Sequence, residues 1–466
     1  MTGESPRHGT RTAGASSQAD HWLRMPPMTA VLRFAAPTTG VMLVAALSNV
    51  LYTYYVSRLG SEAIAAVSLV FPVSLIAITA LGGGLGAGTG SAVARAIGGR
   101  DATRAALVAI HAVILAVLVG VFFGLGVWLG SRTLFRAMGG SGNVLEQAVM
   151  FARWLFAGSA ISFCVQVIDS ILRGEANVRT PALWSTVSLF LQMLLTPVFM
   201  FWFAGGLVGA ALGMVVAQGI ALLPRLAHFR QGASALPVTK VKFTSSFAVV
   251  REILQVGIPA SLSTTTNYIG LMALTSIIAR YGDAHLAAYG LGTRMDFLLL
   301  SLAYGFGSGV LTLVGFVAGT GRPWLATRYV QSAGVCIVAV LGFIGLLLFR
   351  YPEGWLALFT DDPEIVAVGR TYFRFVALTY PFVGLSMVIA FAFQGLGRAA
   401  VPFAWTVLRV SLVVAIATAG VRLRSWPEST VFLTVATANV VSAAALASLF
   451  WAAIRGRSSA HTEPAS

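Results

Sequence analysis

Apolar runs of twenty or more residues recur along almost the whole of this 466-residue chain. Each is long enough to cross a hydrocarbon core of roughly 30 Å as a helix. Lipid offers the backbone no hydrogen bonds, so only helices or a closed barrel can span it. The runs are too long and too continuously apolar for barrel strands, in which lipid-facing and lumen-facing residues alternate. A soluble chain of this length would also need far more charge than 10% Asp, Glu, Lys and Arg, set here beside 57% hydrophobic types. The runs fall at 31–57, 63–90, 104–130, 147–172, 180–203, 206–226, 249–279, 285–318, 326–349, 366–393, 400–421 and 429–454. They predict an all-α membrane protein with twelve transmembrane helices.

The net charge of +15 would point to nucleic acid in a soluble protein. Here the basic residues sit mostly in short loops between apolar runs, as membrane topology requires, and nucleic-acid binding is set aside. With both ends inside, the cytoplasmic loops and tails hold 19 Lys and Arg against 7 in the opposite loops. That bias predicts both termini on the cytoplasmic side of a bacterial-type inner membrane. The polar start, 1–22, lacks the apolar core of a secretory signal and is expected to be a disordered tail, as is 455–466. Cys164 and Cys336 both fall inside apolar runs and read as packing residues.

The two halves repeat. Pro37 and Gly60 recur at Pro259 and Gly282, a shift of 222. Gly82, Gly84 and Gly86 recur at Gly305, Gly307 and Gly309, a shift of 223, and Arg153, Gly174 and Pro181 recur at Arg374, Gly395 and Pro402, a shift of 221. Each half has six spans, so both face the same way and are expected to be related by a pseudo-two-fold axis along the membrane normal. The expected lobes are 23–228 and 247–454, joined by a polar, basic cytoplasmic loop at 229–246. Two such lobes would enclose a cleft and give alternating access by rocking.

Within the spans, a few residues break the apolar pattern. The run LGGGLGAGTG at 81–90 does not fit G-x-G-x-x-G, because the third glycine position falls on Ala87, Thr89 or Ser91. No Walker pattern is present, so no nucleotide cofactor is expected, and Gly82, Gly86 and Gly90 read as a small-residue packing stripe. Pro37 and Pro259 recur in the first helix of each half and are candidate hinges. The polar stretch SLSTTTNY at 261–268, with Thr265 and Asn267, and Asn49 with its neighbours in the first span, are candidates to line a wet cavity. Asp296 and Arg409 lie near the middle of their spans and mark a functional site, with Arg294 close to Asp296 in sequence. A local ion pair is expected between Asp169 and Arg173, four residues apart. No H-E-x-x-H, no G-x-S-x-G and no intramembrane cluster of His with carboxylates occurs, so neither a catalytic site nor a metal site is expected.

The ordered set LGSEAIAAVSLVFP (59–72), GSAVARAIGGRDATRA (90–105), LRGEANVRTP (172–181), GGLVGAALGMVVAQ (205–218) and AAYGLGTRMDFLLLSLAYGFGSGVLTLVGFVAGTGR (287–322) resembles the multidrug and toxic compound extrusion (MATE) family. The resemblance runs from about residue 31 to residue 455. It implies an antiporter that exports cationic or amphipathic small molecules against entry of a proton or sodium ion, and a monomer is expected. Two departures stand out. The family's first-helix Asp, eight residues before the loop glycine, is Tyr52 here, and its fifth-helix N-x-x-x-D-P pattern reads Gln192 to Pro197, with Thr196 in place of the acid. Tyr52 and Gln192 then join the candidate substrate cleft. The acid left to carry ion coupling is Asp296, with Arg409 or Arg294 expected within reach. The alternative reading is a lipid-linked saccharide flippase of the same wider superfamily, which would need several cleft arginines.

Overall fold

A computed structural model of the protein describes residues 21–459 apart from 204, 233, 235, 239, 240, 242, 243 and 425. Of the tails expected over 1–22 and 455–466, residues 1–20 and 460–466 lie outside the described residues, whereas 455–459 continue the last helix, and the joint at 229–246 lies partly outside them. Twelve long helices run through the rest: α1 (Pro27–Ser57), α2 (Ser61–Gly98), α3 (Ala102–Ala137), α4 (Gly142–Ala157 and Ser159–Gly174), α5 (Arg179–Trp202), α6 (Gly206–Arg230), α7 (Phe247–Ile278), α8 (Asp283–Gly319), α9 (Ala326–Arg350), α10 (Pro363–Gly395), α11 (Ala400–Arg424) and α12 (Glu428–Ser459). Among the described residues ten of these are both long and apolar enough to cross a membrane, and α4 passes the same test as a pair bent by 45°. The remaining helix, α7, has 32 residues, ample in length, and falls short only because SLSTTTNY interrupts its apolar run. Exposed Phe122, Leu129, Trp202 and Leu223 are the side chains expected of lipid-facing surfaces.

Local chemistry fixes the helix ends in the same way in both halves. Gly60 (φ 100°, ψ 174°) precedes α2 and Gly282 (φ 118°, ψ 174°) precedes α8, a region of backbone space open essentially to glycine. The break in α4 at Gly158 is matched in α10 by a 3-10 turn at Ala377–Thr379. Pro381, which has no N–H to give, sits in the first turn of the helix that follows.

The helices form two compact units. One takes in Gly40–Ser261; the other takes in Met25–Thr39 and the chain from Leu262 onward. α1 and α7 are therefore each divided between the units, two residues beyond Pro37 and Pro259 respectively. This differs from the sequence boundaries, which put all of α1 in the first half and all of α7 in the second.

In the first unit the small residues of α2 form two rows. A Cβ on Gly86 would come within 2.7 Å of Ser170 Oγ, and one on Gly174 within 3.2 Å of the Gly90 carbonyl, so α2 and the second part of α4 pack almost backbone to backbone. A Cβ on Gly84 or Gly88 would strike Gly257, at 2.7 Å from its carbonyl oxygen and 3.1 Å from its nitrogen. The first part of α7 thus lies along the second row. It is fastened there by Glu252, which accepts from Arg95 Nη2 at 2.9 Å and from Arg104 Nη2 at 2.8 Å.

The second unit repeats these contacts. Gly305 and Gly309 approach Ala35 and Phe34, Gly307 approaches Phe391, and Gly395 lies against the Leu311 carbonyl. Matching contact for contact pairs Gly84 with Gly305, Gly86 with Gly307, and Gly88 with Gly309. The shift of the glycine run is therefore 221, not the 223 read from the sequence. Every marker before residue 76 is shifted by 222 and every marker after residue 82 by 221. Between them α2 contains a π-helical segment, Ile76–Gly82, and its counterpart α8 contains none. A π segment takes one extra residue into a helix, which accounts for the change of one. The Ala80 carbonyl inside it accepts from Ser261 Oγ at 2.6 Å.

Asp169 does not pair with Arg173, whose Nη2 donates to Ser170 Oγ instead. Its carboxylate receives Arg225 Nε at 2.7 Å, Arg225 Nη2 at 3.0 Å and Ser185 Oγ at 2.8 Å. Arg225 is fully buried, and its Nη1 donates to the Ala221 carbonyl. The local pair gives way because the bidentate arginine geometry satisfies both carboxylate oxygens at once. The result ties α4, α5 and α6 together.

Candidate functional site

Asp296 is the fourteenth residue of α8 and lies inside that membrane-spanning helix. Its carboxylate accepts two hydroxyl hydrogen bonds, from Tyr372 at 2.6 Å and from Tyr380 at 2.9 Å. Both tyrosines come from α10 and are almost fully buried, at 2% and 3% exposed. The 3-10 turn between them sets their separation, so that two hydroxyls converge on one carboxylate. Gly292, one turn before Asp296, makes room for this. A Cβ there would stand 2.6 Å from Tyr372 Cδ1. The Tyr372 ring also packs edge-on against Tyr289 and Phe432, with centroids 5.9 and 5.2 Å away. Sequence reading singled out Asp296 but missed both tyrosines, which look like packing residues in an apolar run.

Neither arginine reaches Asp296. Arg294 lies over the Phe359 ring, 5.7 Å from its centroid. Arg409 donates from Nη2 to Asn267 Oδ1 at 2.7 Å and from Nη1 to Asn439 Oδ1 at 3.4 Å. Asn439 in turn donates to Thr379 Oγ1 at 3.0 Å. The expected carboxylate–arginine pair is thus replaced by two adjacent clusters in the second unit, joined through the neighbouring residues Thr379 and Tyr380. Hydroxyls can serve Asp296 without an ion pair because Gly292 lets an aromatic ring in where a longer side chain would exclude it.

The remaining candidates are less tightly knit. Tyr52 and Thr196, at the two positions where acids were expected, carry buried hydroxyls without a hydrogen-bond partner among the described residues. Gln192 makes no side-chain hydrogen bond there either, and is half-buried. Asn49 is exposed, and its carbonyl accepts from Thr53 Oγ1 at 2.9 Å. Thr265 is half-buried in α7, two residues before Asn267. Pro37 and Pro259 lie inside α1 and α7, just before the points at which those helices divide between the units.

Comparison with known proteins gives a consistent picture. The MatE family profile matches residues 37–198 and again residues 259–419. The second match begins 222 residues after the first and ends 221 after it, the same change of one found in the packing. A probable multidrug resistance protein, YpnP of Bacillus subtilis, is 25% identical over 58% of this chain and 59% of its own length. An FAD transporter of Shewanella oneidensis is 24% identical over 74% of this chain and 77% of its own. The chain thus spans about three fifths of the length of the YpnP protein. Among solved structures, a MATE protein in complex with MaD3S superposes with a TM-score of 0.89 at 27% identity, covering 96% of this chain and 99% of that one.

Proposed function

The chain belongs to the MatE family of multi-pass membrane transporters, and we propose that it is a secondary active exporter of small organic molecules, driven by entry of a proton or a sodium ion. The reading places it in a bacterial-type inner membrane with both termini cytoplasmic, acting as a monomer by alternating access. The flexing points are Pro37 and Pro259, and Asn49, Tyr52, Gln192, Thr265 and Asn267 meet the substrate. The relatives' names diverge between multidrug resistance and FAD transport, so they support export of an amphipathic organic molecule without choosing one.

The observation that carries the coupling is Asp296 held by two tyrosine hydroxyls. A carboxylate within a membrane span is unfavourable by roughly 2.5–3.5 kcal/mol on insertion scales. Among the described residues no arginine offsets that charge, and both oxygens face groups that can stay in place whether the carboxylate carries a proton, meets a sodium ion, or stands ionised. Arg409 and Arg294, bound elsewhere, are not part of the coupling group. A flippase site would gather several arginines, and these two are engaged with different partners. Export is tested by a susceptibility panel on cells that overexpress the protein or lack it. The expected outcome is at least a twofold rise in inhibitory concentration for a subset of amphipathic compounds on overexpression. Identical panels in both strains would contradict it.

A further inference from the structure

We propose that the second unit holds a binding site for an oxyanion group, a carboxylate or phosphate, built from the guanidinium of Arg409 and the carboxamide of Asn267. The proposal rests on reading the chain as a transporter, and it narrows the substrate class to molecules that present such a group.

Arg409 is the tenth residue of the 23-residue span Ala400–Arg422. A positive charge at that depth is costly and as a rule finds an acidic or backbone-carbonyl partner. Arg409 has none among the described residues. Its two hydrogen bonds both go to neutral amide oxygens, one of them long at 3.4 Å. The carboxylate of the nearest cluster, Asp296, has both oxygens taken by Tyr372 and Tyr380. A guanidinium has five N–H donors in a planar fork that matches carboxylate and phosphate oxygens, so most of that fork is uncommitted.

The neighbouring groups orient the fork without neutralising it. Asn439 is committed on its other side to Thr379 Oγ1. Asn267 is exposed and turns its oxygen to Arg409, while its Nδ2 makes no hydrogen bond to a described residue. Two adjacent side chains thus present only donors, which is the chemistry that takes an oxyanion.

The same protein shows what a structural arginine looks like. Arg225 is fully buried, its Nε and Nη2 are met by Asp169, and its Nη1 by a backbone carbonyl. Arg409 shares none of this. The repeat gives a second contrast, because the shift of 221 places Ser188 opposite Arg409 and the shift of 222 places Ala45 opposite Asn267. The pair is not part of the scaffold that both halves use.

The test uses the full-length protein in nanodiscs of phosphatidylcholine, with carboxyfluorescein as the anionic probe and ethidium as the cationic one, each followed by fluorescence anisotropy. The wild-type protein is expected to bind carboxyfluorescein, and Arg409→Gln to lower the ratio of anionic to cationic affinity at least tenfold. Arg409→Lys keeps the charge without the fork and should fall between them. Melting temperature is recorded for each variant. Should Arg409→Gln fail to fold, Asn267→Leu carries the test with an expected loss of threefold or more in the same ratio. Discs containing phosphatidylglycerol identify the source of the oxyanion: displacement of the dye from the wild type assigns it to a lipid phosphate, and no displacement to a dissolved solute. The proposal is overturned if the affinity ratio stays within twofold across these variants. It is also overturned if the wild type binds ethidium and not carboxyfluorescein, in which case the export reading survives. A cooperatively melting wild type that binds neither dye overturns both.

Discussion

Asp169 and Asp296 are both carboxylates inside apolar helices, and their partners separate their roles. Asp169 is saturated by Arg225 and Ser185, an arrangement in which removing one member strands a buried charge. Asp169→Asn is expected to lower stability by about 3 kcal/mol. Arg225→Gln should do the same, and the double variant should lose less than the sum of the two, all read from thermal melting in detergent. Asp296 has no such counter-charge among the described residues, and its environment depends on one missing methyl group. Gly292→Val would drive Cβ and Cγ atoms into the Tyr372 ring, a clash worth about 1–3 kcal/mol of stability, and would pull the hydroxyl off Asp296. Tyr372→Phe removes the hydroxyl alone. Both variants are expected to cut ion-driven uptake in liposomes at least fivefold, and Tyr372→Phe to do so without a matching fall in melting temperature. Unchanged uptake in Tyr372→Phe would mean that Asp296 works without that hydroxyl. At this scale the sequence was only half legible. A charge in an apolar run announces itself, as Asp296 did, but its partners lie 76 and 84 residues away in an aromatic helix that gives no signal. Asp169 misled for a similar reason, since a local arginine four residues on hid a better one 56 residues away.

Helices are where apolar length and glycine placement speak most directly. All twelve runs correspond to helices, because a run of this length in lipid has no other way to satisfy its backbone. The register of the glycine rows was not legible, since five glycines spaced by two in α2 match three in α8 at several shifts. Packing decides it, and the π segment Ile76–Gly82 explains why the shift changes by one. The explanation has a direct consequence. Deleting Thr79 should convert that segment to ordinary α-helix and leave the rows downstream facing α4 and α7. Deleting Ala92, in the α-helical part of α2, should rotate everything after it by about 100°. The first variant is expected to reach at least half the wild-type level in membranes, and the second to fall below a tenth, measured by fluorescence of a fused reporter. Equal loss in both would mean that the π segment does not supply the extra residue.

For the molecule as a whole, the repeat was legible because a nearly constant shift across six helices has few other sources, and the doubled MatE match agrees with it. The division of α1 and α7 between the compact units was not, because nothing in a continuous apolar run says which neighbours each half will touch. The prolines at 37 and 259 were the one trace of it. On the proposed reading the transporter needs an intramembrane group whose state the driving ion changes, and Asp296, well inside its span, is a carboxylate that no arginine holds among the described residues. The measurement that bears on this most directly is substrate uptake by purified protein in liposomes under an imposed proton gradient and, separately, an imposed sodium gradient. Coupling at Asp296 predicts that wild-type protein accumulates substrate under one of the two gradients. It also predicts that Asp296→Asn binds the same substrate and melts within a few degrees of wild type, yet brings it only to equilibrium. Full accumulation by Asp296→Asn would contradict it.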